Sequence, residues 1–138
     1  GRLALIGLAV AVESAQVVYE ERDDQSLLDI AVAGRLIKTF VVEADSPAQL
    51  ERNPLLSSAI AWQLSIVGEA AKRLSAELRQ AHSDVPWSAM ARMRDRVTHG
   101  YDTIDWSIVW QVVTTELPRA VAQIESILVS RNVRLPDR

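Results

Sequence analysis

Asn53-Pro54-Leu55-Leu56-Ser57-Ser58-Ala59-Ile60-Ala61-Trp62-Gln63-Leu64-Ser65-Ile66-Val67-Gly68-Glu69-Ala70-Ala71-Lys72-Arg73-Leu74 is the stretch that decides the fold. Leu56, Ala59, Ile60, Leu64, Val67, Ala71, Leu74 and Leu78 recur in steps of three and four residues, the spacing that lines one face of an α-helix. Asn followed by Pro is a cap with a pre-set first helical residue. The pattern predicts a long helix from Pro54 to about Gln80, the spine against which other helices pack.

Working outward, Ser46-Pro47-Ala48-Gln49 has the form of a capping box and predicts a short helical turn just before the spine. Further upstream, Leu27, Ile30, Ile37, Phe40 and Val41 predict a first helix over roughly Ser26 to Val42. Downstream, Ser83-Asp84-Val85-Pro86 ends the spine. Pro86 opens a third helix with Trp87, Met90 and Val97 on one face, and Gly100 fits the position just past its end. Thr103 or Asp102 can cap a fourth helix carrying Val109, Trp110, Val113, Leu117, Val121, Ile124 and Leu128, which Pro118 should kink. With no convincing period of two, the expectation is an all-α fold, an antiparallel four- to five-helix bundle over residues 25–130, followed by a tail at 131–138.

Residues 1–24 read as an N-terminal extension that adds a helix or is partly foreign to the domain. Its apolar run, Leu3 to Val12, is ten residues, against about 20 for a bilayer-spanning helix. The expectation is therefore no membrane anchor. Neither a basic start nor a small-residue cleavage site marks a secretory signal.

Composition narrows the function classes. With 138 residues, 49% of them apolar and 24% charged, the chain suits one globular domain. It has no cysteine, which excludes disulfides, thiolate metal sites and a cysteine nucleophile and is compatible with a cytoplasmic location. Its two histidines, His82 and His99, are too far apart to form a local metal pair, so neither a metal nor a cofactor is expected. A net charge of −3 and a pI near 5.4 argue against a protein that coats nucleic acid through bulk positive charge. The charge is segregated, however. Glu13 to Glu51 carries nine acidic against three basic residues, whereas Lys72 to Arg96 carries six basic against three acidic. The second segment is either a local positive field able to hold phosphate or a solvated helix face.

Within that segment lies Arg94-Asp95-Arg96-Val97-Thr98-His99-Gly100-Tyr101. Arg94 is seven residues after Trp87, nearly the same side of a helix, so it should face inward or into a groove. On a continuous helix Asp95 and Arg96, four and three residues before His99, would both reach the imidazole, and a carboxylate there would fix its tautomer. Taken singly, each residue also has an ordinary reading: Arg94 snorkelling past the core, His99 capping a helix C-terminus, Tyr101 packing. Trp62, Trp87, Trp106 and Trp110 lie on apolar stripes and read as core or interface rather than as a base-stacking platform. His82, at a predicted helix end, reads as a cap residue.

The combination resembles the HepT-like toxins of the HEPN superfamily, whose signature is Arg, four to six residues, His, one residue, Tyr. Arg94, His99 and Tyr101 match it with a spacer of four, and Ile66 to Ser75, Val85-Pro86-Trp87, Met93 to Tyr101 and Ile108-Val109-Trp110 look like the family's blocks in the family's order. The resemblance covers about Ser26 to Leu128. Asp95 departs from the Asn often found there, and residues 1–24 lie outside it. The resemblance implies a HEPN-like symmetric homodimer, a metal-independent endoribonuclease that serves as the toxin of a type II toxin-antitoxin pair. It also implies neutralisation by an MNT-family nucleotidyltransferase antitoxin that attaches AMP to Tyr101. Cleavage without a metal needs a base for the 2′-hydroxyl, an acid for the leaving 5′-oxygen and a cation against the phosphorane. Two copies of the motif would supply them, with His99 as acid/base, Arg94 as phosphate ligand and Asp95 as orienting group. Arg92, Arg96, Lys72 and Arg73 are the expected RNA phosphate contacts. The alternative expectation is a non-catalytic helical module that binds a nucleotidyltransferase partner or a nucleotide.

Overall fold

A computed structural model describes residues 2–99 and 103–137, with backbone alone at 98 and 99. Gly100, Tyr101 and Asp102, and with them the expected helix stop at Gly100, lie outside the described residues. The chain is helical almost throughout: α1 (Arg2–Val41), α2 (Pro47–Arg52), α3 (Pro54–Arg73), α4 (Ala76–Ala81), α5 (Trp87–Ala91), α6 (Met93–Val97), α7 (Trp106–Gln111) and α8 (Leu117–Ser130). A π-helical turn, Val112–Glu116, joins α7 to α8. The all-α expectation holds, with one addition: Thr98–His99 (β1) and Thr103–Ile104 (β2) form a small antiparallel pair between α6 and α7.

Local chemistry sets the helix starts. Ser46 caps α2 by accepting the Gln49 N–H, while the Gln49 side chain accepts the Asp45 N–H. Asn53 caps α3 through its side-chain oxygen on the Leu56 N–H. The spine is shorter than its stripe predicts, ending at Arg73 rather than near Gln80. Buried Asp23 of α1 is the cause: its carboxylate accepts from the Ser75 backbone N–H at 2.9 Å and from the Ser75 hydroxyl at 2.6 Å. The backbone donor that would continue the helix is thereby held by another element, and the Ser75 hydroxyl instead caps α4 on the Leu78 N–H.

The core lies where α1 packs on α3 and α8. Leu27, Ile30 and Ile37 of α1 meet Ile60, Leu64 and Val67 of α3 and Leu117, Ile124 and Leu128 of α8, all fully buried. At Gly34 the α1–α8 approach is so close that a β-carbon there would overlap Val121 Cγ2. The acidic stretch of α1 is bound to the rest of the chain: Asp24 pairs with Arg131 at 2.6 Å, Asp29 with Arg73 at 3.1 Å, and Arg35 with Glu125 at 3.2 Å. The tail begins as an ordered cap. Asn132 adopts φ 60°, its N–H bonds the Val129 carbonyl and the Val133 N–H bonds the Leu128 carbonyl. This left-handed closure brings Val133 and Leu135 onto the core.

Residues 2–24 and helix one form a single 40-residue helix, about 60 Å long at 1.5 Å per residue. Nothing between Gly7 and Val41 breaks it, and an acidic cluster is not a breaker. Its N-terminal half is exposed, including Leu3, Leu5, Ile6 and Leu8. An 18-residue window of this helix has mean hydropathy 1.5 and none of it buried, so by length and composition the helix is long enough to cross a membrane. The ten-residue count failed because the apolar character resumes beyond Glu13 with Ala15, Val17 and Val18.

Candidate active site

Helix α6 carries the motif arginine, and the β-pair carries the motif histidine. The α5 helix stops at Ala91, Arg92 leaves helical geometry with φ −101° and ψ 15°, and α6 resumes at Met93. Buried Met93 and Val97 hold α6 to the core, leaving Arg94 and Asp95 exposed. After Val97 the chain turns into β1, in which Thr98 faces Ile104 and His99 faces Thr103 in register. The Asp105 N–H bonds the Val97 carbonyl at 2.8 Å and closes the base of this hairpin. Asp105 then caps α7 on the Ser107 and Ile108 N–H groups at 3.1 and 3.2 Å. Thr103, one of the two expected caps, is a strand residue instead.

Because α6 ends at Val97, His99 does not share a helix surface with Asp95 and Arg96. The spacing argument that brought both to its imidazole therefore fails, since three- and four-residue neighbours exist only while the helix continues. Arg94 borders a cleft of about 190 Å³ formed by Ala61 and Ser65 of α3, Val97 of α6, Ile104 of β2 and Trp106 of α7. Arg94 is exposed and is among the residues lining this largely apolar hollow, but the helix face it was expected to share with Trp87 is absent, since α5 ends at Ala91 and α6 starts at Met93. Asp95 is exposed and makes no hydrogen bond or ion pair among the described residues.

Arg96 is engaged within the chain. Its Nη1 and Nη2 donate to Oε1 and Oε2 of Glu116 at 3.0 and 3.2 Å, a two-pronged pair that ties α6 to the π-helical turn. Nothing local to Arg96 points to Glu116, which is 20 residues away. Pro118, expected to kink the last helix, follows that turn at the start of α8. Lys72 pairs with Glu69 at 3.3 Å and Arg73 with Asp29, so both lie toward the C-terminal end of α3, away from the Arg94 cleft. Arg92 lines a separate groove with Arg79 of α4. The expected phosphate contacts are therefore distributed over three places.

Of the tryptophans, Trp87 is buried, with Nε1 donating to the His82 carbonyl at 2.8 Å, and His82 closes α4 as its cap residue. Trp106 and Trp110 pack partly buried against the core, whereas Trp62 of α3 is 67% exposed. Among the described residues no three His, Asp or Glu side chains converge as a metal site requires.

A family model described as Ribonuclease HepT-like matches residues 30–127. The chain is 39% identical over 77 residues to a protein named "Putative RNase" in Caldanaerobacter subterraneus subsp. tengcongensis, covering 56% of this chain and 69% of that one. It is 32% identical over 108 residues to the "Probable ribonuclease HepT" of Thermococcus cleftensis, covering 73% of this chain and 91% of that one. A "Putative RNase" of Methanocaldococcus jannaschii is 36% identical over 70 residues, 51% of this chain and 58% of its own length. No solved structure matches. The matched segment runs from the buried half of α1 through α8 and contains the cleft, Arg94 and the histidine-bearing hairpin, and the chain belongs to the Ribonuclease HepT-like family.

Proposed function

We propose that this protein is a metal-independent endoribonuclease, the toxin of a type II toxin-antitoxin pair, acting on cytoplasmic RNA. The observation that carries the reading is the pairing of Arg94, at the edge of an open cleft, with a hairpin closed onto the same elements that bears His99. Family membership supports the nuclease class.

In the proposed reaction the 2′-oxygen of one nucleotide attacks its own phosphorus and the bond from phosphorus to the 5′-oxygen breaks. One His99 takes the 2′-hydroxyl proton and a second His99 gives a proton to the departing oxygen. Arg94 holds the phosphate and the added charge of the phosphorane, and Asp95 orients the imidazole from its own or the facing protomer. One motif histidine per chain makes a two-fold dimer the source of the second. Exposed Trp62, on the same α3 helix as the cleft residues Ala61 and Ser65, supports placing the dimer contact there. An MNT-family nucleotidyltransferase would silence the site by attaching AMP to Tyr101, adding bulk and negative charge where the RNA backbone lies.

The test is cleavage of RNA in the presence of a chelator. Fragments ending in 2′,3′-cyclic phosphate are expected, and His99→Ala should remove activity by a factor of about 10² or more without changing the fold. A strict requirement for added Mg²⁺ refutes the mechanism. Unchanged toxicity of His99→Ala in cells supports the non-catalytic binding module instead.

A further inference from the structure

A second basic feature lies beside the motif and outside the cleft. Arg79 and Gln80 of α4, Ser83, and Ser88 and Arg92 at the two ends of α5 line an open groove of about 640 Å³. Among the described residues no acidic side chain lines it. The other expected phosphate contacts are neutralised in place: Lys72 by Glu69, Arg73 by Asp29 and Arg96 by Glu116. The Arg92 side chain has no hydrogen-bond or ion-pair partner among the described residues, and the Arg79 side chain only brings its Nε to the Ser75 carbonyl at 3.4 Å. Two uncompensated guanidiniums facing one hollow raise the electrostatic energy of the free protein unless an anion is near.

The neighbouring groups say which anion. Ser83, Ser88 and Gln80 offer hydrogen bonds of the kind made to phosphate and sugar oxygens. Trp87 is 6% exposed and offers no face for stacking a base, so the groove favours a backbone over a base. Its openness suits a strand passing through rather than an enclosed small molecule. Arg92, which lines this groove at the junction from which α6 starts, is two residues before Arg94, which lines the cleft.

Building on the nuclease reading above, we propose that Arg79 and Arg92 form a track for the sugar-phosphate backbone of single-stranded RNA flanking the cleaved phosphate. The track makes extended single strands, rather than dinucleotides, the substrate class. It holds them without regard to sequence, and it recruits Arg79, which the motif does not include. Arg92 contributes here and not in the cleft.

The experiment uses the full chain carrying His99→Ala, so that RNA is bound during the titration without being cut. Affinity for a fluorescent uridine oligonucleotide is measured by anisotropy from 50 to 200 mM salt. For single strands the slope of log affinity against log salt is about 0.7 per phosphate contact, so Arg79→Gln with Arg92→Gln should flatten it by about 1.4. The corresponding double change to Lys, which keeps the charge, should restore most of the slope. Arg119→Gln on the exposed face of α8, outside the groove, should leave it unchanged. A slope equal to that of Arg119→Gln overturns the proposal. So does an unchanged RNA slope accompanied by weaker binding of the nucleotidyltransferase, which would assign the groove to an acidic protein surface. If the chain with His99 intact cuts no RNA yet shows the expected slope change, the nuclease reading fails and the track stands.

Discussion

The Arg96–Glu116 pair allows the sharpest separation of a structural role from a substrate-binding one. Each guanidinium prong donates to one carboxylate oxygen, at 3.0 and 3.2 Å, a geometry that fixes direction as well as distance. The side chains are 37% and 39% exposed, so water screens the attraction, and a coupling of about 1 kcal/mol is expected rather than the 3–5 kcal/mol lost on breaking a buried pair. The perturbation is a double-mutant cycle of Arg96→Gln and Glu116→Gln, read by urea denaturation. Each single change should lower stability by about 1 kcal/mol, about 3–5 °C in Tm for a chain of this size, and the second change should add little to the first. The charge exchange Arg96→Glu with Glu116→Arg should recover most of the loss and keep RNA cleavage within a few-fold of the parent. If Arg96 instead holds phosphate, Glu116→Gln frees it and tightens RNA binding, while the exchange weakens binding at least tenfold with stability unaltered. That outcome would refute the positioning role of the pair.

Three further substitutions test the packing that supports the site. Asp23→Ala leaves the Ser75 N–H and hydroxyl without their carboxylate and should cost about 2–4 kcal/mol by chemical denaturation, since hydrogen bonds to a charged group contribute about 1.5–3 kcal/mol each; a cost below 1 kcal/mol would show that the α3–α4 break is set locally. The glycines should split in sign. Gly34→Ala forces its new methyl onto Val121 and should destabilise by about 1–3 kcal/mol, whereas at Gly68 the nearest atoms are the Met90 and Ala91 carbonyl oxygens at 3.5 and 3.6 Å, so Gly68→Ala should fit and gain up to about 1 kcal/mol of helix propensity; equal thermal shifts for the two would contradict the packing described.

What could be read in advance was what short-range chemistry decides. The α3 stripe, the Ser46 box and the Asn53-Pro54 start each depend on neighbours within a turn or two, and each stands in the structure. The end of α3 did not follow from its own residues, because Asp23, 52 positions away, holds Ser75. The β-pair was invisible for a different reason: strands of two residues carry no measurable alternation, so Thr103 looked like a cap. At the site, the seven-residue offset from Trp87 presumed one continuous helix, whereas the helix breaks at Arg92 and leaves Trp87 buried and Arg94 exposed. The proposed contact of Asp95 and Arg96 with His99 presumed a helix that stops two residues too soon. The contrast between engaged Arg96 and uncompensated Arg79 is tertiary throughout, since it depends on which carboxylates the fold brings within reach.

The bond from Asp105 N–H to the Val97 carbonyl fastens the two ends of the motif hairpin to each other, with buried Val97 on one side and the α7 cap on the other. The consequence is one of anchorage. His99 sits in a segment whose two ends are joined to each other, to the last turn of α6 and to the first turn of α7, so a change that loosens either helix end also moves the backbone bearing the motif histidine.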